Sequence, residues 1–214
     1  MNAELPDNIR SKVFEYPIWT LLYHELNESL LVDCRGSKDN EADLFEVNLT
    51  SLEPSKLKLE LSWYEKMIGL AGDDLYTIEY QDENDPSAFL LKRTSISKKS
   101  VESVDELPEL NVQIREPSLF ELETEYHQMV AGFLSLELSL SCEYLEWKEF
   151  IIISYYLRSG EGFDRFLLLI KEGEKIWKIQ QDDGMKGFSS GSFFVVKDQL
   201  VFVKDRNEVC TYSL

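Results

Sequence analysis

Histidine is nearly missing from this 214-residue chain: only His24 and His127 occur. Zinc generally needs three or four ligands, and a nucleophilic cysteine wants a histidine partner, so both chemistries are poorly supplied. Cysteine is scarce as well. Cys34, Cys142 and Cys210 are odd in number, widely spaced and never form Cys-x-x-Cys. Each stands among apolar, strand-like neighbours, so they read as reduced, buried thiols rather than a disulfide framework. Basic residues number 22 against 40 acidic ones, for a formal charge of −18. Nucleic-acid backbones and anionic membranes repel such a surface, and Lys98-Lys99 is too small a cluster to offset it. No apolar run approaches the roughly 18 residues of a membrane span; Phe150-Ile151-Ile152-Ile153 has the length of a strand. The first residues, Met1 to Asp7, are polar and acidic where a secretory signal carries basic charge and an apolar stretch. The expectation is a cytoplasmic protein, and Asn27-Glu28-Ser29 and Asn48-Leu49-Thr50 then match the glycosylation pattern by chance. Gly-x-Ser-x-Gly and His-Glu-x-x-His do not occur, nor does a P-loop or Gly-x-Gly-x-x-Gly. Together these absences lean away from an enzyme.

What is present is repetition. Trp19 and Trp63 stand 44 residues apart, as do Phe45 and Phe89, and Thr50-Ser51-Leu52 and Thr94-Ser95-Ile96. A shift of 121 lays Tyr23, Leu30, Leu31, Val32 and Phe45 on Tyr144, Ile151, Ile152, Ile153 and Phe166. A period of this size belongs to propeller blades and other β-arrays. Hydrophobic residues make up 43% of the chain, enough to fill a core.

The local pattern divides the chain into five units of one β-repeat domain, about 17–61, 62–104, 110–138, 139–180 and 187–214. In the first, 18–24, 29–34 and 44–49 read as strands, and Leu57, Leu59 and Leu61 alternate with polar residues as a fourth. The second repeats the scheme across 63–70, 75–80 and 88–94, with a turn at Gly72-Asp73. In the third unit two periods compete. Phe120, Leu122, Thr124 and Tyr126 alternate with Glu121, Glu123 and Glu125. Yet Leu119, Leu122, Tyr126, Met129, Val130 and Phe133 also fit a helical stripe. Strand and helix stay open at 118–133, with at most one short helix, and the alternating Leu134, Leu136, Leu138 and Leu140 favour a strand beyond it. The fourth unit runs through a turn at Trp147-Lys148, a loop at 158–164 and a hairpin at Glu172-Gly173-Glu174. The fifth comprises strands at 193–196, 200–204 and 209–213.

These meanders make the chain all-β: a small propeller-like array of four or five antiparallel sheets, with a β-sandwich or open β-solenoid as the alternative. Through Tyr144 to Tyr156, and Phe193-Phe194 with Leu200-Val201-Phe202-Val203, the sequence resembles β-propeller repeat proteins. The likeness includes an uncharacterised bacterial propeller-like family of unknown function. It implies stacked small sheets and brings no catalytic motif; the Trp-Asp ending, the kelch double glycine and the NHL-type signature are missing.

Candidate chemistry sits in the loops. Asp39, Glu41 and Asp43 fall in the repeat register of Asp82 and Asp85, and Gly160-Glu161-Gly162-Phe163-Asp164 is close to it. Oxygen ligands at such spacing could take Ca²⁺, and the plainer reading is solvated hairpin ends. Asp182-Asp183-Gly184 opens the most glycine-rich stretch, which runs to Gly191. It reads as a ligand-approaching loop or simply as a connection between units. Trp19 and Trp63 read as blade packing. Trp147, at a turn, is the tryptophan expected to be exposed, and with Tyr155 and Tyr156 it would offer aromatic surface to a protein partner or sugar. The function expected is a non-catalytic binding scaffold that offers an acidic rim to a protein partner, itself basic. The alternative is a hydrolase with a carboxylate-lined pocket and a divalent metal.

Overall fold

Strands account for almost all of the regular structure. The computed structural model describes residues 5–36, 41–59, 61–82, 85, 87–110 and 114–214. Its seventeen strands form four antiparallel sheets of four or five strands, with one helix, so the chain is all-β. It divides into two compact units, Lys12–Gln113 and Met1–Ser11 with Ile114–Leu214. β1 (Arg10–Val13) adds an outer strand to the last sheet of the chain.

In the unit Lys12–Gln113, one sheet comprises β2 (Ile18–His24), β3 (Ser29–Gly36), β4 (Glu41–Asn48) and β5 (Pro54–Lys56). A second comprises β6 (Glu65–Ala71), β7 (Asp74–Tyr80), β8 (Phe89–Ser95) and β9 (Val101–Ser103). Every residue of β3 is buried, as expected of a central strand covered on both faces. Leu31, Leu44, Met67, Leu70, Leu75 and Ile96 form one core, with Leu57, Leu59 and Leu61 packed against it. Those three leucines were expected to form a strand. The fourth strand is instead the short β5, and the leucines follow it as an irregular segment. Their alternation reports which side packs, not a hydrogen-bonded ladder.

The 44-residue repeat holds only in part. Val32 pairs with Phe45, but Phe89 pairs with Tyr80, while Tyr76, which the repeat equates with Val32, pairs with Arg93. Phe45 and Phe89 are therefore not equivalent: the third strand has slipped by four residues. The slip is even, and side chains alternate with a period of two, so the face each residue takes is kept while the register is lost.

The other unit contains β10 (Ser118–Phe120), α1 (Glu125–Leu134), β11 (Cys142–Trp147), β12 (Phe150–Ser159), β13 (Gly162–Lys171) and β14 (Glu174–Met185). It ends with β15 (Phe193–Val196), β16 (Gln199–Lys204) and β17 (Glu208–Ser213). Strands β10 to β14 make one five-stranded sheet in sequence order; β1, β17, β16 and β15 make the other. The described residues of 110–138 do not build a sheet of their own: they supply β10 to the five-stranded one and α1 to its face. The loop expected at 158–164 is a tight turn, since Ser159 already pairs with Gly162. Glu172 and Gly173 both take positive φ, as do Lys197 and Asp198, which is the geometry of the favoured two-residue hairpin turns.

The contest between helix and strand resolves into both. Phe120 ends a three-residue strand, and Thr124 then caps α1 by accepting from the His127 N–H. His127, Val130, Ala131 and Leu134 face inward at helical spacing. Ser135 closes the helix in the left-handed region, its N–H bonding the carbonyls of Ala131 and Gly132. The strand expected at 134–140 is not formed. Leu134 belongs to the helix, and the segment after it keeps a backbone bond to β12, from the Ser139 N–H to the Tyr156 carbonyl, without extending the β11 ladder beyond Cys142. Among the described residues, no helix is long and apolar enough to cross a membrane.

Candidate functional site

The five-stranded sheet has two apolar faces because its side chains alternate. Ile152, Leu167, Leu169, Trp177 and Ile179 pack against Phe193, Val195, Leu200 and Phe202 of the neighbouring sheet. Ile153, Tyr155, Leu168, Ile170 and Cys142 lie on the opposite face, with Val130 and Leu138 above them. Among the described residues of this unit, α1 and the segment after it pack on that second face. Between them and the sheet a cleft of about 290 Å³ remains, lined by Phe133, Leu134, Leu136, Tyr155, Leu168 and Ile170 with Gly173, Lys175 and Lys178. The Lys178 ammonium lies 4.1 Å from the Phe166 ring centre and 5.4 Å from that of Tyr155, held as a cation over aromatic faces.

The helix carries a second apolar stripe. Tyr126, Met129 and Phe133 are 62%, 57% and 56% exposed, and Leu122 and Leu136 at either end are exposed as well. At about 100° per residue this stripe lies about 100° around the helix from His127, Val130 and Leu134. It flanks the buried side and reaches the cleft through Phe133. At the other end Tyr126 stacks on Phe120 at 5.2 Å, and Phe120 on Tyr144 at 5.4 Å. The Tyr144 hydroxyl donates to Glu146 at 2.5 Å. Burial, together with that neighbouring carboxylate, pushes the tyrosine up to about 12. Glu121, Glu123, Glu125, Glu137 and Glu146 are all exposed around this surface.

The residues expected to bind are placed differently. Tyr155 and Tyr156 are buried, 1% and 0% exposed, and offer no outer surface. Tyr155 stacks on Phe166, while the Tyr156 hydroxyl donates to the Ser189 carbonyl at 3.0 Å and accepts from the Ser189 N–H at 3.1 Å. β12 is a central strand, so consecutive residues point to opposite covered faces, and sequence position cannot bring both tyrosines to the surface. Trp147 is half-buried rather than exposed. Its indole N–H donates to Asp198 at 2.9 Å, and Arg115 and Lys148 lie near 6 Å from its ring centre. Asp182 is not in a connection but within β14, buried and paired with Arg165. Burial holds its carboxyl above the usual range, with Arg165 pulling against it. Asp183, its neighbour, is exposed.

Of the acidic loop residues, Asp39 lies outside the described residues. Glu41 begins β4. Asp43 pairs with Lys56 at 2.6 Å. Asp82 is exposed, and Asp85 accepts from the Ser87 N–H and hydroxyl at 2.9 and 2.6 Å, closing its own turn. Among the described residues, no group of three or more His, Cys, Asp or Glu is placed to hold a metal ion. His24 and His127 are buried; the first meets Glu46 at 3.3 Å and the second the Leu140 carbonyl at 3.0 Å. The three cysteines are free and buried, and burial pushes Cys34 up to about 12 and Cys142 to about 11.

Trp19 and Trp63 meet, with ring centres 5.5 Å apart, but Trp19 is 59% exposed, so it is Trp19 rather than Trp147 that faces solvent and the pair is not buried packing. The guanidinium of Arg35 lies over both, forks onto Asp33, and donates to the carbonyls of Trp63 and Glu65. Repeat-related tryptophans thus share one buried cation that ties β3 to the segment entering β6. Spacing alone carried no sign of Arg35.

No protein-family model matches the chain, and no curated protein matches it. Among solved structures, the acylaminoacyl peptidase of Pyrococcus horikoshii, in its orthorhombic crystal form, is similar at 11% identity with a TM-score of 0.27. The match covers 88% of this chain and 36% of that one, so the chain spans little more than a third of the peptidase's length. A likeness at this level carries no argument.

Proposed function

We propose that this chain is a non-catalytic binding scaffold that docks a protein partner. The carrying observation is the exposed stripe Tyr126, Met129 and Phe133 on α1. Exposed apolar residues scattered singly are ordinary, but a row of them on one helix face, rimmed by polar groups, is how contact surfaces look. The exposed carboxylates around it, in a chain of formal charge −18, suit a basic partner. The residues lining the cleft include no carboxylate, so the reading puts no hydrolytic chemistry there. Consecutive antiparallel meanders, the last completed by β1 from the start of the chain, fit a propeller-like repeat array as the frame. The three unpaired thiols fit a reducing, cytoplasmic setting.

The test is quantitative capture on the immobilised chain, beside a screen for hydrolytic turnover. A stoichiometric protein partner, retained in low salt and released as salt rises, is the expected result. Clear turnover with no partner captured would overturn the reading.

A further inference from the structure

The docking surface has a shape and a charge pattern that specify what it takes. We propose that the outward stripe of α1, with the cleft beside Phe133, receives a basic amphipathic helix from another protein; this rests on the scaffold reading above. Tyr126, Met129 and Phe133 follow one another at intervals of three and four residues, spanning about 10 Å of helix axis. That is the footprint of two turns of a helix whose own anchors recur at the same interval, the helix-in-groove mode of recognition. The 290 Å³ cleft lies just under the roughly 300–1,000 Å³ of small-molecule pockets. It shares exposed Phe133 and Leu136 with the stripe and is lined mainly by aliphatic and aromatic side chains, a seat for one apolar anchor. Met129 adds the adaptable thioether common on such surfaces.

The charges select the sign of the partner. Glu121, Glu123 and Glu125 crowd the N-terminal end of the stripe, Glu137 stands past its C-terminal end, and Glu146 closes the aromatic row beside Tyr126. On the cleft side only Lys175 and Lys178 are basic, and Lys178 already sits over two rings. Lysines or arginines flanking an apolar face would meet this rim favourably. A second copy would not. Parallel pairing along α1 sets Glu121, Glu123 and Glu125 against themselves, and antiparallel pairing sets them against Glu137, with Lys175 as the one offset. Each copy also brings a charge of −18. An anionic membrane is repelled for the same reason.

The probe is a synthetic helical peptide of leucine and lysine, about 18 residues long, titrated into the full chain by fluorescence anisotropy. Two controls run beside it: the same composition in alternating order, and a helical peptide of leucine and glutamate. The lysine helix is expected to bind at least tenfold more tightly than either control. The double variant Met129→Ser, Phe133→Ser should lose at least tenfold of that affinity with an unchanged melting temperature, because both side chains are exposed. Glu121→Gln with Glu125→Gln should weaken binding severalfold and flatten its salt dependence. Binding that the serine variant leaves intact overturns this site, and the scaffold reading survives it. Equal binding of the glutamate peptide overturns the choice of a basic partner. A dimer in sedimentation, or adsorption to phosphatidylcholine vesicles, that the serine variant abolishes overturns the choice of occupant. Failure of the scaffold reading looks different again: catalytic turnover that neither pair of substitutions changes.

Discussion

One face of the five-stranded sheet is covered by another sheet, and the other by a ten-residue helix. On the first, Phe193, Val195, Leu200 and Phe202 close over Ile152, Leu167 and Leu169, and every one of these is at most 2% exposed. On the second, Val130 and Leu138 reach the sheet, while a cleft stays open beside Phe133. A sheet offers a continuous apolar lid, but a short helix covers only a strip roughly 10 Å wide. The sheet-covered face thus has only a structural role to fill, whereas the helix-covered face keeps apolar surface in solvent, where a partner can reach it.

β12 tests this difference with neighbouring residues. Ile152 and Ile153 are both fully buried, yet they point to opposite faces. Removing either leaves a cavity, and its cost depends on how far the surroundings collapse. Ile152→Ala, locked between two sheets, should cost about 4 kcal/mol, near the upper part of the usual range. Ile153→Ala should cost about 2–3 kcal/mol, because α1 can settle toward the sheet. Urea transitions of the two variants decide it. Equal costs would mean that the helix is as rigid a lid as the sheet.

The same contrast explains what could be read beforehand. Strands such as Ile18–His24, Phe193–Val196 and Glu208–Ser213 were legible because alternation and turn residues are local signals. The stripe Leu119, Leu122, Tyr126, Met129, Val130 and Phe133 was legible too, but not its direction. A helical apolar row ordinarily faces the core, and here only Val130 of the six is buried. Which side of α1 turns inward is decided by His127, Ala131 and Leu134 meeting the sheet, and that is tertiary information. Tyr155 and Tyr156 fail as surface residues for the same reason: the α1 side covers the first, and the segment at Phe188 and Ser189 covers the second. Register was illegible for another: four residues join β3 to β4 where eight join β7 to β8. Fixed spacing then preserves faces but misassigns partners. The short β1, β9 and β10 carry too few residues for any period to show.

A smaller effect separates the two lids by their dynamics. Cys142 lies under α1 and Cys210 under the sheet-covered face. Burial pushes the Cys142 thiol up to about 11 and Cys210 higher still, so neither reacts until the structure over it opens. Thr124→Ala removes the helix cap at a cost of about 1 kcal/mol. Cys142 should then label about fivefold faster, with Cys210 unchanged. Acceleration of both thiols together would show that α1 opens only with the whole unit and is no independent lid.

The smallest expected effect runs the other way. Gly132 lies inside α1, and a Cβ built there meets nothing within 4 Å. Gly132→Ala should therefore stabilise the helix by about 0.5–1 kcal/mol, since glycine gives up more backbone freedom on ordering. Cys142 labelling should slow by a comparable factor while Cys210 stays as it was. Gly132 stands one turn from Gln128 and two from Glu125, on the polar flank, about 60° around the helix from Met129 at the edge of the stripe. The added methyl group should leave binding of the leucine–lysine helix unchanged, or tighten it slightly by holding α1 in place. If Gly132→Ala weakens that binding instead, the partner lies against the polar flank, and Met129 and Phe133 are exposed for some other purpose.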